Sequence, residues 1–211
     1  MYEPLLYFAL SLGLVPLFQI GLRRFKNSHT LFILPFVCLV FFSSIYEFLS
    51  FRFNWSSAYW FRFYTFFDFL FIFYFYYQNL KNRFRNYFIF SLIAFFILFV
   101  YLLSIWDVNQ CDKTEFYLIT FESIFVLISS ILWFVSIFIE MKIESLLKSP
   151  HYFFISGFVM YFSGTFFLYM FNDYMMKYMI TEILNFWNLI VIFNILLRTL
   201  LIAGIWTART K

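Results

Sequence analysis

Seven apolar runs, each about as long as a membrane-spanning helix, constrain this chain more than any other feature of its sequence. They alternate with six short polar breaks and lie at approximately residues 4–22, 29–51, 58–80, 86–106, 115–140, 150–172 and 182–206. A helix that crosses a bilayer needs about 20 mostly apolar residues. The runs use most of the 211 residues. We therefore predict an all-α fold in which residues 1–211 form a single seven-helix transmembrane domain with no soluble domain.

Composition excludes several other classes of protein. Charged residues make up 12% of the chain and hydrophobic residues 64%, whereas a soluble domain has about 25% charged residues. No P-loop, GxSxG or HExxH motif is present, and no basic groove with interleaved aromatics that would bind nucleic acid. The two histidines, His29 and His151, stand at the ends of runs, so we expect no metal site and no cofactor.

Lys and Arg residues are distributed unevenly between the two sets of breaks, and this predicts an orientation. Ten of the fifteen follow runs one, three, five and seven: Arg23, Arg24, Lys26, Lys81, Arg83, Arg85, Lys142, Lys148, Arg209 and Lys211. Four lie at the opposite ends: Arg52, Arg62, Lys113 and Lys177. Because short loops rich in Lys and Arg stay in the cytoplasm, we predict that the N-terminus lies outside and the C-terminus inside.

Four ionisable residues stand out within the apolar runs, where each calls for a partner. Glu47, Asp68, Glu122 and Arg198 lie in runs two, three, five and seven. A charged side chain at the centre of a spanning helix costs about 2.5–3.5 kcal/mol on insertion scales. Arg198, in the inner half of its run, is expected to extend towards the cytoplasmic headgroups. The three acids are expected to face the helix bundle.

Helical spacing places other polar residues on the same faces as the acids. Tyr64 and Asp68 are spaced i, i+4, and Asn185 and Asn188 are spaced i, i+3. By depth, we predict a polar cavity or network that opens outward, with Arg62 as the countercharge of Glu47 or Glu122. The candidate ligand-binding or buried polar residues are Glu47, Arg62, Tyr64, Asp68, Glu122, Thr165, Asn185 and Asn188.

Three interpretations of these residues stay open at this point. They could fasten helices together, since interhelical hydrogen bonds in membranes contribute about 0.6 kcal/mol each on average. They could form a ligand or ion site, because three buried acids against one nearby arginine leave negative charge unbalanced. They could also supply the acid and base for hydrolysis of a lipid head group.

The chain resembles an uncharacterised family of small bacterial seven-helix integral membrane proteins. The likeness rests on residues 59–81, 121–135, 150–171 and 185–206. Within them, an acid lies in the third helix (Asp68), Glu122 and a following serine open the fifth, and Phe-Ser-Gly marks the sixth. Asp68 is shorter than the Glu of that family, and Thr165 replaces an amide. The resemblance implies a sensory or accessory component of the membrane and supplies no catalytic residues.

The sequence thus favours a non-enzymatic protein of the bacterial inner membrane. We expect a sensory or ligand-binding module, or an accessory subunit of a larger membrane complex. The expected partners are the lipid bilayer, another membrane protein, and a lipid or small-molecule ligand. The alternative is an intramembrane hydrolase of a lipid substrate that uses the buried carboxylates.

Overall fold

The chain folds into long helices joined by short connections. The structure is a computed structural model and describes residues 2–21, 28–55, 58–106, 111–140, 146–178 and 183–209. Some side chains near the ends of these segments are not described. Its α-helices are α1 (Tyr2–Gly21), α2 (Leu34–Phe53), α3 (Ala58–Ser104), α4 (Cys111–Glu140), α5 (Pro150–Tyr178) and α6 (Ile183–Arg209). Short 3-10 helices precede α2 (Ser28–Ile33) and α5 (Leu146–Lys148).

All six α-helices carry stretches long and apolar enough to cross a membrane. Their outward surfaces are rich in exposed hydrophobic side chains, such as Phe90 and Ile97 at 73% and 67% exposure. Exposing so much apolar surface to water would be unfavourable in free energy, whereas contact with lipid tails carries no such cost. The chain is therefore a multi-pass, helical membrane protein.

Helix α3 joins two of the apolar runs, and it bends between them. Phe84 has non-helical backbone angles (φ −123°, ψ 33°) at the bend. Aromatic rings from the two halves then meet in antiparallel order: Phe69 stacks on Phe95 with ring centroids 3.7 Å apart, and Phe73 contacts Phe88 at 5.7 Å. The predicted polar break at residues 81–85 is thus helical on both sides of Phe84, because no Gly or Pro interrupts it.

The helices form a closed ring, in which each packs on its neighbours in sequence and α6 packs back on α1. Aromatic residues dominate the interior of the ring. Phe36, Phe69, Phe75, Phe154 and Phe158 are fully or almost fully buried. Phe36 and Phe158 meet edge to face with centroids 5.0 Å apart, which brings α2 against α5 across the interior. Such pairs contribute about 0.5–1.5 kcal/mol beyond the area they bury.

Small residues bring α5 and α6 close together. A Cβ placed on Gly157 would lie 3.3 Å from Leu197 Cδ1, and a Cβ placed on Gly164 would overlap the Phe193 ring. The serine-glycine pairs that recur seven residues apart in α5 predict that some neighbouring helix approaches closely, since small residues leave room for it. The close approach of a neighbouring helix is confirmed.

Several helix ends differ from the predicted runs. Helix α4 begins at Cys111, four residues before the predicted start, so Glu115 lies inside the helix and not at its edge. Pro35 lies inside the predicted run 29–51, where a proline predicts a kink, but it falls in the first turn of α2, where a proline costs no helical hydrogen bond. Helix α2 ends at Phe53 and is followed by Asn54, which adopts a left-handed backbone (φ 52°), a conformation that asparagine tolerates.

Candidate binding site of buried carboxylates

Asp68 lies inside the bundle on the N-terminal half of α3. It is 5% exposed, and the Tyr64 hydroxyl one turn earlier is its side-chain hydrogen-bond partner. The spacing of the two residues predicts that they share a face. The other carboxyl oxygen, Oδ1, is buried and has no hydrogen-bond partner in the described structure. Asp68 therefore keeps an unused hydrogen-bond acceptor inside the bundle.

Glu122 faces Asp68 from α4. It is 2% exposed, and its Oε1 atom is also buried without a hydrogen-bond partner among the described residues. The two carboxyl groups lie close enough to interact electrostatically. Like charges in a poorly solvated interior repel strongly. Two buried acids with unused acceptors thus lie on neighbouring helices, within electrostatic range of each other.

Further polar groups lie around this pair. Glu47 on α2 accepts a hydrogen bond of 2.9 Å from Ser43, one turn earlier, as their spacing predicts. Tyr64 interacts electrostatically with Asp68, Glu47 and Tyr161, and Tyr161 on α5 interacts with Asp68, Glu122 and Glu47. We name Glu47, Tyr64, Asp68, Glu122 and Tyr161 the acid–tyrosine cluster. Four helices contribute to it.

Arg62 forms its described salt bridge with Glu115. The sequence predicts Glu47 or Glu122 as its partner, and that prediction is wrong. Arg62 Nε lies 3.2 Å from Glu115 Oε1, and the side chains of the pair are 7% and 10% exposed. Arg62 Nη2 donates to Thr114 Oγ1 at 3.0 Å, and Thr65 Oγ1 donates to Glu115 Oε2 at 3.2 Å. The earlier start of α4 explains the difference, because it places Glu115 on the helix beside Arg62.

Aromatic rings complete the surroundings of Arg62. Its guanidinium carbon lies 5.8 Å from the Phe99 ring centroid and 5.7 Å from that of Trp106. Cations are attracted to the faces of aromatic rings at such distances, and more strongly when water is excluded. Arg62 is thus held by a carboxylate, a hydroxyl and two rings, and its charge is compensated without the acid–tyrosine cluster.

Arg198 lies inside the bundle. The sequence suggests instead that it extends towards the headgroups, and that prediction is wrong. It is 5% exposed, and its Nη1 atom donates a short hydrogen bond to the carbonyl oxygen of Ala9. A Cβ placed on Gly13 would lie 3.2 Å from the guanidinium, so only glycine leaves room there. Ala9 and Gly13 lie near the middle of α1, which places Arg198 near mid-depth. It interacts electrostatically with Tyr64 of the cluster.

The remaining residues predicted for the site contribute less to the acid–tyrosine cluster. The Thr165 hydroxyl donates to the Tyr161 carbonyl at 2.7 Å, within its own helix. Asn188 is half-buried, and its Oδ1 atom has no hydrogen-bond partner in the part of the chain that the structure describes. The side chain of Asn185 lies outside the described residues. The expected cavity opening outward stays a prediction, since the described pocket of about 400 Å³ is apolar and lies between α1 and α2.

Sequence reasoning missed Glu115 and Tyr161, although both carry a signal. Glu115 begins a series in which Glu122, Ser129 and Ser136 follow at successive intervals of seven, which places all four on one face of a helix. Tyr161 precedes the candidate Thr165 by four residues. Extending each stripe by one or two turns would have included both residues.

Among the described residues, no group of three or more His, Cys, Asp or Glu side chains could hold a metal ion. No protein-family model, curated protein or solved structure matches the chain. The resemblance to the bacterial seven-helix family therefore stays a prediction, and function has to be argued from the acid–tyrosine cluster.

Proposed function

We propose that this chain is a ligand-binding membrane protein that takes a small positively charged ligand at the acid–tyrosine cluster. The observation that carries the proposal is the pair formed by Asp68 and Glu122. Each is almost completely buried and keeps a carboxyl oxygen without a hydrogen-bond partner. Ionisable residues inside membrane helices commonly mark ion or substrate sites because burying them is costly.

The charge balance around the cluster supports a cationic ligand. Three acids, Glu47, Asp68 and Glu122, interact with the cluster tyrosines. Arg62 is engaged by Glu115, so Arg198 is the described cation within electrostatic range of the cluster. When the three acids are ionised, one positive charge leaves an excess of negative charge, and a bound cation would stabilise that ionised state.

The aromatic members of the cluster indicate which cation fits best. The hydroxyl groups of Tyr64 and Tyr161 lie within electrostatic range of the carboxyl groups. Tyrosine rings attract ammonium groups through their faces, and carboxylates accept hydrogen bonds from them. An ammonium group can use both features, whereas a strongly hydrated metal ion gains little from a ring. We propose an ammonium-bearing ligand.

We further propose that the chain crosses the membrane seven times, with its N-terminus outside. The ring contacts between the halves of α3, such as Phe69 with Phe95, support two crossings by that helix. A single straight crossing would use about 20 residues, whereas α3 has 47. The excess of Lys and Arg after the odd-numbered runs supports the orientation. The resemblance to a bacterial family supports the inner membrane.

In this proposal the protein acts as a sensory module or an accessory subunit. The polar breaks between the apolar runs are short, so they have no room for an effector domain. Ligand binding would therefore be transmitted to a partner in the membrane. Helix α3 is the element best placed to do so, because it carries Asp68 and contacts both α2 and α4.

Ligand-dependent stabilisation tests the proposed site. The purified protein is titrated with sodium, potassium, methylammonium or tetramethylammonium chloride at constant ionic strength, and its melting temperature is recorded. A bound ligand raises the melting temperature in a saturable manner. We expect methylammonium or tetramethylammonium to do so for the wild type and Tyr76→Phe, but not for Asp68→Asn or Glu122→Gln.

Tyr76→Phe is the matched control, because Tyr76 is a buried polar residue on the same helix that bonds Ser130 and lies outside the cluster. Equal shifts in Asp68→Asn and wild type would remove the cluster from the binding site. The absence of a saturable shift with all four salts would reject the cationic ligand.

The same preparation tests the alternative, a lipid hydrolase. Asp68 and Glu122 could in principle act as acid and base, since their carboxyl groups lie in electrostatic range of each other. We expect no release of fatty acid or head group from phospholipid vesicles incubated with the protein. Turnover by the wild type that Asp68→Asn abolishes would replace the proposed function with hydrolysis.

A further inference from the structure

Arg198 is a buried cation with no carboxylate partner in the part of the chain that the structure describes. It is 5% exposed, and its Nη1 atom donates to a neutral acceptor, the carbonyl oxygen of Ala9. Its Nε atom is buried and has no hydrogen-bond partner among the described residues. The described salt bridge joins Arg62 to Glu115 and leaves Arg198 out. A buried charge without a counter-ion is costly, so an anionic group placed beside Arg198 would be stabilised.

The packing of three helices holds the guanidinium group in place. A Cβ placed on Gly13 would lie 3.2 Å from the guanidinium carbon of Arg198 and would overlap the Ser44 hydroxyl. Arg198 of α6 and Ser44 of α2 therefore meet at the same small residue of α1. The Ser44 hydroxyl donates to the Val40 carbonyl at 2.8 Å, so it supplies no negative charge. Moving the guanidinium group to the acids would require breaking its hydrogen bond to α1.

Tyr64 lies within electrostatic range of both Arg198 and the acids. Its hydroxyl is the side-chain hydrogen-bond partner of Asp68, and it interacts electrostatically with Glu47 and with Arg198. Asp68 and Glu122 each keep a carboxyl oxygen without a hydrogen-bond partner in the described structure. No described salt bridge joins Arg198 to any of these acids. The bundle thus holds positive and negative groups around one tyrosine hydroxyl without pairing them.

A ligand with two opposite charges would compensate both kinds of group. Its ammonium group would bind the acids of the cluster, and its anionic oxygens would accept hydrogen bonds from Arg198. A guanidinium group presents several N–H donors in a planar fork that suits a carboxylate. A cation alone would leave Arg198 without a counter-ion, and an anion alone would leave the acids without one. A zwitterion therefore matches the described groups better than either ion.

We propose that the ligand of the acid–tyrosine cluster is a small zwitterion, such as a free amino acid or a betaine, whose anionic group binds Arg198. This inference rests on the proposed function, because the ammonium end of the ligand uses the same cluster. A lipid head group with an ammonium and a phosphate has the same chemistry. Arg198 bonds the middle of α1, however, and the middle of the hydrocarbon core is about 15 Å from the head groups. A free solute therefore fits its position better.

Matched pairs of ligands test the second charge of the ligand. The purified full-length protein is titrated with glycine, 4-aminobutyrate or glycine betaine, and with the cations that lack only their carboxylate: methylammonium, propylammonium and tetramethylammonium. Melting temperatures at constant ionic strength give the half-saturating concentrations. We expect at least one zwitterion to half-saturate the wild type and the control Tyr76→Phe at a concentration about tenfold lower than its matched cation, because a hydrogen bond to a charged group contributes that much affinity.

Variants of Arg198 test where the anionic end binds. Arg198→Gln should remove the advantage of the zwitterion and keep the response to the matched cation. Arg198→Lys, which keeps the charge, should retain part of the advantage. Melting temperatures identify any variant that fails to fold, and the comparison of matched ligands on the wild type does not depend on the variants.

The outcomes separate this inference from the proposed function. A saturable response of the wild type to a cation, with no advantage for its zwitterion, would overturn the inference and leave the proposed function standing. No saturable response to any of these ligands would reject both. An advantage that persists in folded Arg198→Gln would also overturn the inference. So would a response to short-chain phosphatidylethanolamine without a response to any free zwitterion.

Discussion

Arg62 Nε lies 3.2 Å from Glu115 Oε1, and this ion pair joins the N-terminal half of α3 to the first turns of α4. Thr114 and Thr65 each add a hydrogen bond to it. The pair lies about one to two helical turns from Asp68 and Glu122 along the same two helices. It therefore fixes the helices on which the cluster acids stand, while its own charges cancel.

We expect that breaking this ion pair destabilises the protein more than removing it. Arg62→Met or Glu115→Leu alone should lower the free energy of unfolding by about 3–5 kcal/mol, because the remaining charge is left buried and unpaired. The double variant should recover a large part of that loss. Unfolding in mixed detergent micelles, analysed as a double-mutant cycle, measures the coupling. If the losses simply add, the two charges do not interact in solution.

Asp68 is expected to reduce stability. Asp68→Leu should raise the free energy of unfolding by about 1–2 kcal/mol, because it removes a costly buried carboxyl and loses one hydrogen bond from Tyr64. The same variant should lose ammonium binding. Unfolding measurements and the ligand titration are made on one preparation. If Asp68→Leu is destabilised by as much as a broken buried ion pair, Asp68 serves to fasten helices and the functional interpretation weakens.

Gly164 is expected to tolerate no side chain. Gly164→Ala should lower the free energy of unfolding by about 1–3 kcal/mol, because its Cβ would overlap the Phe193 ring between α5 and α6. Gly21→Ala is the control, since a Cβ there meets no atom within 4 Å. Detergent unfolding of both variants gives the comparison. Equal stability of Gly164→Ala and wild type would mean that α5 and α6 lie farther apart than described.

Cysteine labelling should reveal the proposed topology. In a Cys38→Ser background, a membrane-impermeant maleimide added to intact spheroplasts should modify Cys111. It should spare a cysteine introduced by Asn82→Cys, close to the Phe84 bend. Membrane disruption before labelling should expose Asn82→Cys and serves as the control. The reverse pattern would invert the orientation, and labelling of both sites from outside would contradict two crossings by α3.

The predicted runs agree with the helices wherever hydropathy alone decides the outcome. Pro150 begins α5 as predicted, because a proline suits the first turn of a helix. The run around Pro35 differs because a 3-10 helix at Ser28–Ile33 delays the start of α2. The break at residues 81–85 is polar, yet its residues suit a helix, so the chain turns at Phe84 without a loop. Polarity alone does not distinguish a loop from a bend.

The candidate site also separates what the sequence predicts within one helix from what depends on the packing of different helices. The periodicity of a helix places Tyr64 one turn from Asp68 and Ser43 one turn from Glu47, and both pairs are hydrogen-bonded. These are neighbours within one helix. Arg62 could not be assigned its partner in this way, because several acids lie at similar depth and the choice depends on how α3 and α4 are rotated and offset.

The sequence by itself determined that this chain is a helical membrane protein and that Asp68 and Glu122 face inward, because hydropathy and helical periodicity are local properties of the chain. The tertiary structure decided that Glu115 neutralises Arg62, that Arg198 reaches the Ala9 carbonyl, and that α1 and α2 leave an apolar pocket between them. Those outcomes depend on the rotation and depth of whole helices. Close contacts such as Gly13 on Ser44 and Gly164 on Phe193 set that rotation and depth, and they involve residues far apart in the chain.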